Sequence, residues 1–309
     1  MRAPLSVIVN GTSGAVAAAK GALPDKLRQA FAAAGTAAEV RLVEGAEIDT
    51  ALREAAGEAR VAVAGGDGTA RGAAQALAGS DTELALLPLG TLNHLARDLE
   101  LPTELNAAAA LAAHGSATAI DVGEVNGERF VNNVSIGLYP SMVRNRDWYR
   151  ENRGWPKWLS TFPAAWRALH RLPRHRLRIE LDGKAQTVVT PLLFVGNNPY
   201  SLEGGKVGAR ESLRRGRLAV YAVAERSRPG LVWFALRTLA GRADKGMDFA
   251  AIGLCETLTV TPEQASIEVA MDGEILRLRS PLAFRILPRA LRVVTPGSAA
   301  SIVSRRTQT

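Results

Sequence analysis

Val61-Ala62-Val63-Ala64-Gly65-Gly66-Asp67-Gly68-Thr69 is a short apolar run that ends in a glycine-rich turn. Val61 to Ala64 reads as a strand, and the Ala-rich stretch from Thr69 to Ala78 reads as the helix that follows it. The same unit recurs on both sides. Leu5 to Val9, Ala38 to Val43 and Leu84 to Leu87 read as further strands, and Pro24 to Ala34, Asp49 to Glu58 and Asn93 to Leu99 as helices between them. Strand and helix in alternation predict a parallel α/β sheet, whose ligands sit beyond the carboxyl ends of the strands.

Past Asp121 the pattern changes. Asn126-Gly127, Asp182-Gly183 and Asp272-Gly273 each lie between alternating segments, the signature of tight antiparallel hairpins. The expected architecture is an α/β N-terminal domain with a parallel sheet, residues 1–121, followed by a mostly antiparallel β domain, residues 122–295. The Ala-rich stretch Leu105 to Ala119 is expected to bridge the two. Residues from about 296 to 309 are left to pack back on the first domain, with Ser304 to Thr309 as a frayed tail.

Three loops on one sheet edge have the size and chemistry for phosphate. Asn10-Gly11-Thr12-Ser13-Gly14 follows the first strand with two glycines, two hydroxyls and an amide where a helix should start. Gly65-Gly66-Asp67-Gly68-Thr69 lets the backbone approach a bulky anion, and Pro88-Leu89-Gly90-Thr91-Leu92-Asn93 repeats the placement after the fourth strand. A carboxylate inside a phosphate cradle repels the ligand unless a cation lies between them, so Asp67 implies Mg²⁺. The plainer role for Asp67 is to cap the helix that follows.

Composition narrows the chemistry. Cys255 is the only cysteine among 309 residues and the four histidines are scattered, which excludes a disulfide framework and a thiolate or imidazole zinc site. Any metal is held by oxygen. The net charge of +8 favours anionic partners. The start, Met1 to Ser6, runs directly into a strand, and no apolar run approaches the roughly 20 residues of a membrane span, so a cytoplasmic protein is expected.

With these residues in view, Asn10 to Gly14, Gly65 to Thr69 and Pro88 to Arg97 resemble the nucleotide-binding motifs of the diacylglycerol kinase catalytic domain, which sphingosine kinases share. The likeness continues through Phe130, Asn132, Ser135 and Gly137 and through Met271-Asp272-Gly273-Glu274. It implies the NAD kinase or phosphofructokinase type of α/β domain, ATP as co-substrate, and a lipid acceptor. It also implies Asp67 as organiser of Mg²⁺, Thr69 and Thr91 as hydroxyl donors, and contacts to the nucleotide from Asn10, Gly66 and Asn93. By the same resemblance Glu274 is the general base, supported by Asp272; read on its own, Asp272-Gly273 is a hairpin turn. Two positions depart from the family. His94 stands where an aspartate is common, and Arg215-Gly216 where some members carry an Asp-Gly associated with a structural metal, which is therefore expected to be missing. Arg210, Arg214, Arg215 and Arg217 would form a solvated or phosphate-facing basic patch. A non-catalytic nucleotide and lipid binder, and an NAD kinase, are the competing readings.

Arg144 to Arg178 holds ten Lys or Arg against two acids, and four of the five tryptophans. Aromatic rings at headgroup level beside basic side chains predict reversible binding to an anionic membrane surface. The alternative is a helix packed on the β domain. No recognised nucleic-acid module surrounds the segment, so nucleic acid is not expected as a partner; whether the chain pairs as a homodimer is left open by the sequence. Leu231 to Leu239 is expected to be a core helix.

Overall fold

The computed structural model describes residues 3–11, 21–45, 47–90, 92–137, 175–200, 210, 212–223 and 249–297. Four parallel strands, β1 (Leu5–Asn10), β2 (Ala38–Val43), β3 (Arg60–Gly65) and β4 (Glu83–Pro88), lie in the order β2-β1-β3-β4. Their side chains alternate between two apolar layers. Val7, Val9, Ala62, Ala64 and Leu87 face α1 (Leu23–Ala33) and α5 (Leu105–His114). Ile8, Val61, Val63 and Leu84 face α2 (Ile48–Glu54), α3 (Asp67–Leu77) and α4 (His94–Asp98). Burial on both sides explains why β3 is an unbroken apolar run.

The expected helices are present with shifted ends. α2 stops at Glu54 instead of Glu58, because Gly57 takes φ +131°, a backbone state closed to a helix, and donates its N–H to Thr82 Oγ1. The stretch from Leu105 to Ala119 is not a single bridge. Gly115 ends α5, and Ser116 begins a ten-residue strand, β5 (Ser116–Val125).

Eleven further strands follow among the described residues: β6 (Glu128–Phe130), β7 (Asn133–Gly137), β8 (His175–Leu181), β9 (Lys184–Thr190), β10 (Leu192–Asn197), β11 (Leu218–Val223), β12 (Phe249–Cys255), β13 (Thr257–Pro262), β14 (Ser266–Met271), β15 (Glu274–Arg279) and β16 (Leu282–Thr295). The three predicted hairpin turns join β5 to β6, β8 to β9 and β14 to β15, each with both turn residues at positive φ, as a type I′ turn needs. A six-stranded antiparallel sheet, β12-β11-β10-β7-β14-β15, packs on the antiparallel half of the first sheet. Phe130, Val134, Ile136, Leu193, Val260 and Phe284 meet in the core between them.

β16 ties the two halves together. Leu282 to Arg285 pair antiparallel with β13, a register shift falls between Leu287 and Leu291, and Arg292 and Val293 then run parallel to β4. The first sheet thereby continues from its parallel half into its antiparallel half, and brings the β14–β15 turn to the edge where the loops of β3 and β4 end.

Candidate active site

The loops after β3 and β4 touch backbone to backbone. A Cβ on Gly90 would sit 2.5 Å from the Gly66 Cα, so only hydrogen fits there. Gly65 is equally confined, since a Cβ would lie 2.3 Å from Thr69 Oγ1. The Leu89 N–H donates to the Gly65 carbonyl at 2.9 Å, locking one loop to the other. Asn93 closes the third loop on itself. At φ 48° its side chain accepts from the Gly90 N–H (3.1 Å) and donates to the Gly90 carbonyl (2.8 Å). From the first loop, Asn10 Nδ2 donates to Thr69 Oγ1 at 3.0 Å. Thr12, Ser13, Gly14 and Thr91 lie outside the described residues.

Between these loops is a cleft lined by Gly65, Gly66, Asp67, Thr69, Pro88 and Asn93. Asp67 is the first residue of α3, whose N-cap, Gly66, has no side-chain cap. Its Oδ1 instead accepts the His94 backbone N–H at 2.7 Å, across the cleft at the first turn of α4. The carboxylate therefore caps a neighbouring helix rather than its own, and fastens the second loop to the third. Among the described residues no three His, Cys, Asp or Glu side chains gather into a metal cage. One carboxylate between two glycine-rich loops fits a hydrated Mg²⁺ that arrives with polyphosphate, because Mg²⁺ keeps several waters and takes one or two protein carboxylates.

Glu274 reaches this edge from the far end of the chain. It follows the β14–β15 turn, and its Oε1 lies over Gly68, where a Cβ would be only 2.6 Å away. Oε2 accepts from Arg71 Nη2 at 2.6 Å and Nε at 3.1 Å. Arg71 Nη1 is also 3.6 Å from Glu128. The Glu274 side chain stays 46% exposed, so it is open to a substrate; the Arg71 side chain is 16% exposed.

Asp272 is different. It is buried, and its carboxylate accepts the backbone N–H groups of Val131 (2.7 Å), Asn132 (2.8 Å) and Asn133 (3.0 Å). Burial pushes this carboxyl up from the ordinary range, against the pull of the three donors and of the Arg210 guanidinium. Its contribution is to anchor the turn that carries Glu274 to the β6–β7 connection.

The predicted basic patch loses Arg210. That side chain has 0% exposure, binds Asp98 of α4 at 2.7 Å, and donates to the Val131 carbonyl and to Asn132 Oδ1. It joins the helix of the third loop to the segment Asp272 holds. Arg217 pairs with Glu256 at 3.1 Å, while Arg215 is exposed. At that loop Gly216 N–H donates to Asp121 and Arg215 N–H to Asn198. Arg71 was not singled out by its sequence, although it stands four residues after Asp67 and so shares its helix face. Of the Arg144 to Arg178 segment, residues 144–174 lie outside the described residues, as do 231–239; Arg176 and Arg178 are exposed on β8. No helix among the described residues is long and apolar enough to cross a membrane.

Residues 4–125 match the family model of the diacylglycerol kinase catalytic domain, and residues 137–295 that of the YegS C-terminal NAD kinase beta sandwich-like domain. A probable lipid kinase YegS-like of Pseudomonas fluorescens is 42% identical over 135 residues, 41% of this chain and 44% of that one, so the match spans less than half of that relative. A diacylglycerol kinase of Mycobacterium tuberculosis is 29% identical over 248 residues, 78% of each chain. The solved structure of a diacylglycerol kinase from Bacillus anthracis superposes with a TM-score of 0.65 at 19% identity, over 96% of this chain and 98% of that one. At that identity the likeness speaks for the fold alone.

Proposed function

The chain belongs to the diacylglycerol-kinase-like family of lipid kinases, and from that premise we propose that it transfers the γ-phosphoryl group of ATP to a hydroxyl of diacylglycerol or a related lipid. The observation that carries this reading is the arrival of Glu274, from the β domain, at Gly68, the residue next to Asp67 in the second loop.

In this reading the tight loops at Gly65-Gly66 and Gly90 let the phosphates approach the backbone closely, and Asn10 and Asn93 hold those loops in shape. Asp67 keeps the two loops together through Oδ1 and would be the residue to hold a hydrated Mg²⁺, which would supply charge neutralisation when bound. The lipid hydroxyl gives its proton to the Glu274 carboxylate as its oxygen bonds to the γ-phosphorus. The bond from that phosphorus to the bridging oxygen breaks, and ADP leaves. Phosphoryl transfer asks mainly for position and neutralised charge, so one base with a cation and backbone donors suffices.

The protein would meet its acceptor at an anionic membrane surface, through the basic and tryptophan-rich stretch from Arg144 to Arg178, and reside in the cytoplasm. The test is transfer of labelled phosphate from ATP and Mg²⁺ to a panel of diacylglycerol, monoacylglycerol, sphingoid and phosphatidylglycerol acceptors in anionic vesicles. Transfer to at least one lipid, lost in Glu274→Gln and Asp67→Asn, is expected. ATP binding with no transfer to any lipid would favour a binder without catalysis, and transfer to NAD alone a soluble dinucleotide kinase.

A further inference from the structure

We propose that Arg71 is the positioning residue of this site, the group that holds the Glu274 carboxylate at the second loop in a fixed orientation. The inference rests on the reading of Glu274 as the base. Glu274 lies on β15, at the edge of its sheet, and its side chain is nearly half exposed, so the hairpin alone leaves its carboxylate free to rotate into water. Two contacts stop that rotation. Oε1 meets Gly68, where a Cβ would sit 2.6 Å away, and Oε2 receives two donors from one guanidinium, Nη2 at 2.6 Å and Nε at 3.1 Å.

The Arg71 side chain is itself held. It stands one turn below Gly68 on α3, is largely buried, and has Glu128 of β6 at 3.6 Å from Nη1. A planar fork fixed at its root and flanked by two carboxylates has little freedom, so it transmits the orientation of α3 to Glu274. Charge adds a second reason. Asp67 is four residues before Arg71 on the same helix face, and a bound polyphosphate would add to its negative charge. The Arg71 cation offsets the repulsion that would otherwise drive the Glu274 carboxylate away from the acceptor hydroxyl. Arg71 touches neither reacting atom in this arrangement; it acts through Glu274.

The test compares wild type, Arg71→Ala, Arg71→Lys, Glu274→Gln and the double variant Arg71→Ala/Glu274→Gln, reading kcat for a lipid acceptor, affinity for ATP by titration, and thermal midpoint. Arg71→Ala is expected to lower kcat by roughly 10- to 100-fold with ATP affinity within about threefold of wild type. Arg71→Lys restores part of the rate, because it returns the charge and not the fork. The double variant matches Glu274→Gln within about twofold, as it must if Arg71 works only through that carboxylate. Losses that multiply in the double variant, or a loss of ATP affinity equal to the loss of kcat, would assign Arg71 a merely structural part and overturn the proposal. Full kcat in Arg71→Ala overturns the role of Arg71 alone. Full kcat in Glu274→Gln overturns the base assignment and the positioning role with it, and a wild type inactive on every lipid sinks the kinase reading itself.

Discussion

Replacing Gly68 with alanine should separate stability from activity in opposite directions. Gly68 lies in the first turn of α3 without a positive φ, so alanine suits its backbone and should stabilise the fold by up to about 0.5–1 kcal/mol. The new methyl group, however, would stand 2.6 Å from Glu274 Oε1, and ordinary contact begins near 3.4 Å, so the oxygen must retreat by about 0.8 Å. The obstacle is the far end of a side chain rather than backbone, and the carboxylate yields while the helix stays. That retreat disturbs the 2.6 Å contact with Arg71 Nη2. A misplacement near 1 Å at a reacting centre is worth on the order of 100-fold in rate, or about 2.7 kcal/mol of barrier. Urea unfolding and steady-state transfer from ATP to a lipid acceptor, measured on the same preparation with ATP affinity determined separately, provide the comparison. A Gly68→Ala protein with wild-type kcat would show that the carboxylate's place beside the second loop is irrelevant to the reaction.

Asp272→Ala leaves the buried N–H groups of Val131 and Asn132 and the partly buried one of Asn133 without an acceptor, and should lower stability by about 3–5 kcal/mol in urea unfolding. Arg210→Met strands the mostly buried Asp98 carboxylate and several backbone and amide acceptors; a loss of about 3–5 kcal/mol is expected, and adding Asp98→Asn should recover part of it. Burial holds the His175 imidazole below its ordinary value of 6.5, so the unfolded chain binds the extra proton first. Stability from this group is therefore intact above pH 6.5 and lost as pH falls from there toward the folded value. The gap in urea midpoint between His175→Gln and wild type should shift in favour of the variant between pH 7 and pH 5.5, and a constant gap would contradict the burial argument.

The parallel half was legible because each of its units is local: an apolar run, a glycine turn and an Ala-rich helix occupy consecutive residues, as in Val61 to Leu77. The hairpins were legible for a similar reason, since Asn-Gly and Asp-Gly satisfy the positive φ of their own turn. What the sequence hid is non-local. Arg71 and Glu274 are 203 residues apart and no periodicity links them. Arg210 sits in an arginine-rich stretch that resembles a solvated surface, and only Asp98 and Asn132, distant in sequence, reveal it as buried. The role of Asp67 was half legible. A carboxylate inside a glycine-rich loop after a strand could be read from glycine spacing, but its bond to the His94 N–H depends on how closely Gly66 and Gly90 approach.

The seam strand β16 has a consequence for how the protein is made. Its pairing with β4 sets Arg292 beside Glu83, 209 residues earlier, and that contact completes the parallel sheet on its inner side. At roughly 5–20 residues per second, a ribosome that has released β4 needs about 10–40 s to deliver its neighbour. During that interval β4 presents an open row of peptide groups flanked by Leu84 and Leu87. The nascent parallel half is thus obliged to wait, sticky along one border, for the final strand of its partner half, and chaperone occupancy on stalled chains should peak once Pro88 has left the exit tunnel and fall when Val293 emerges.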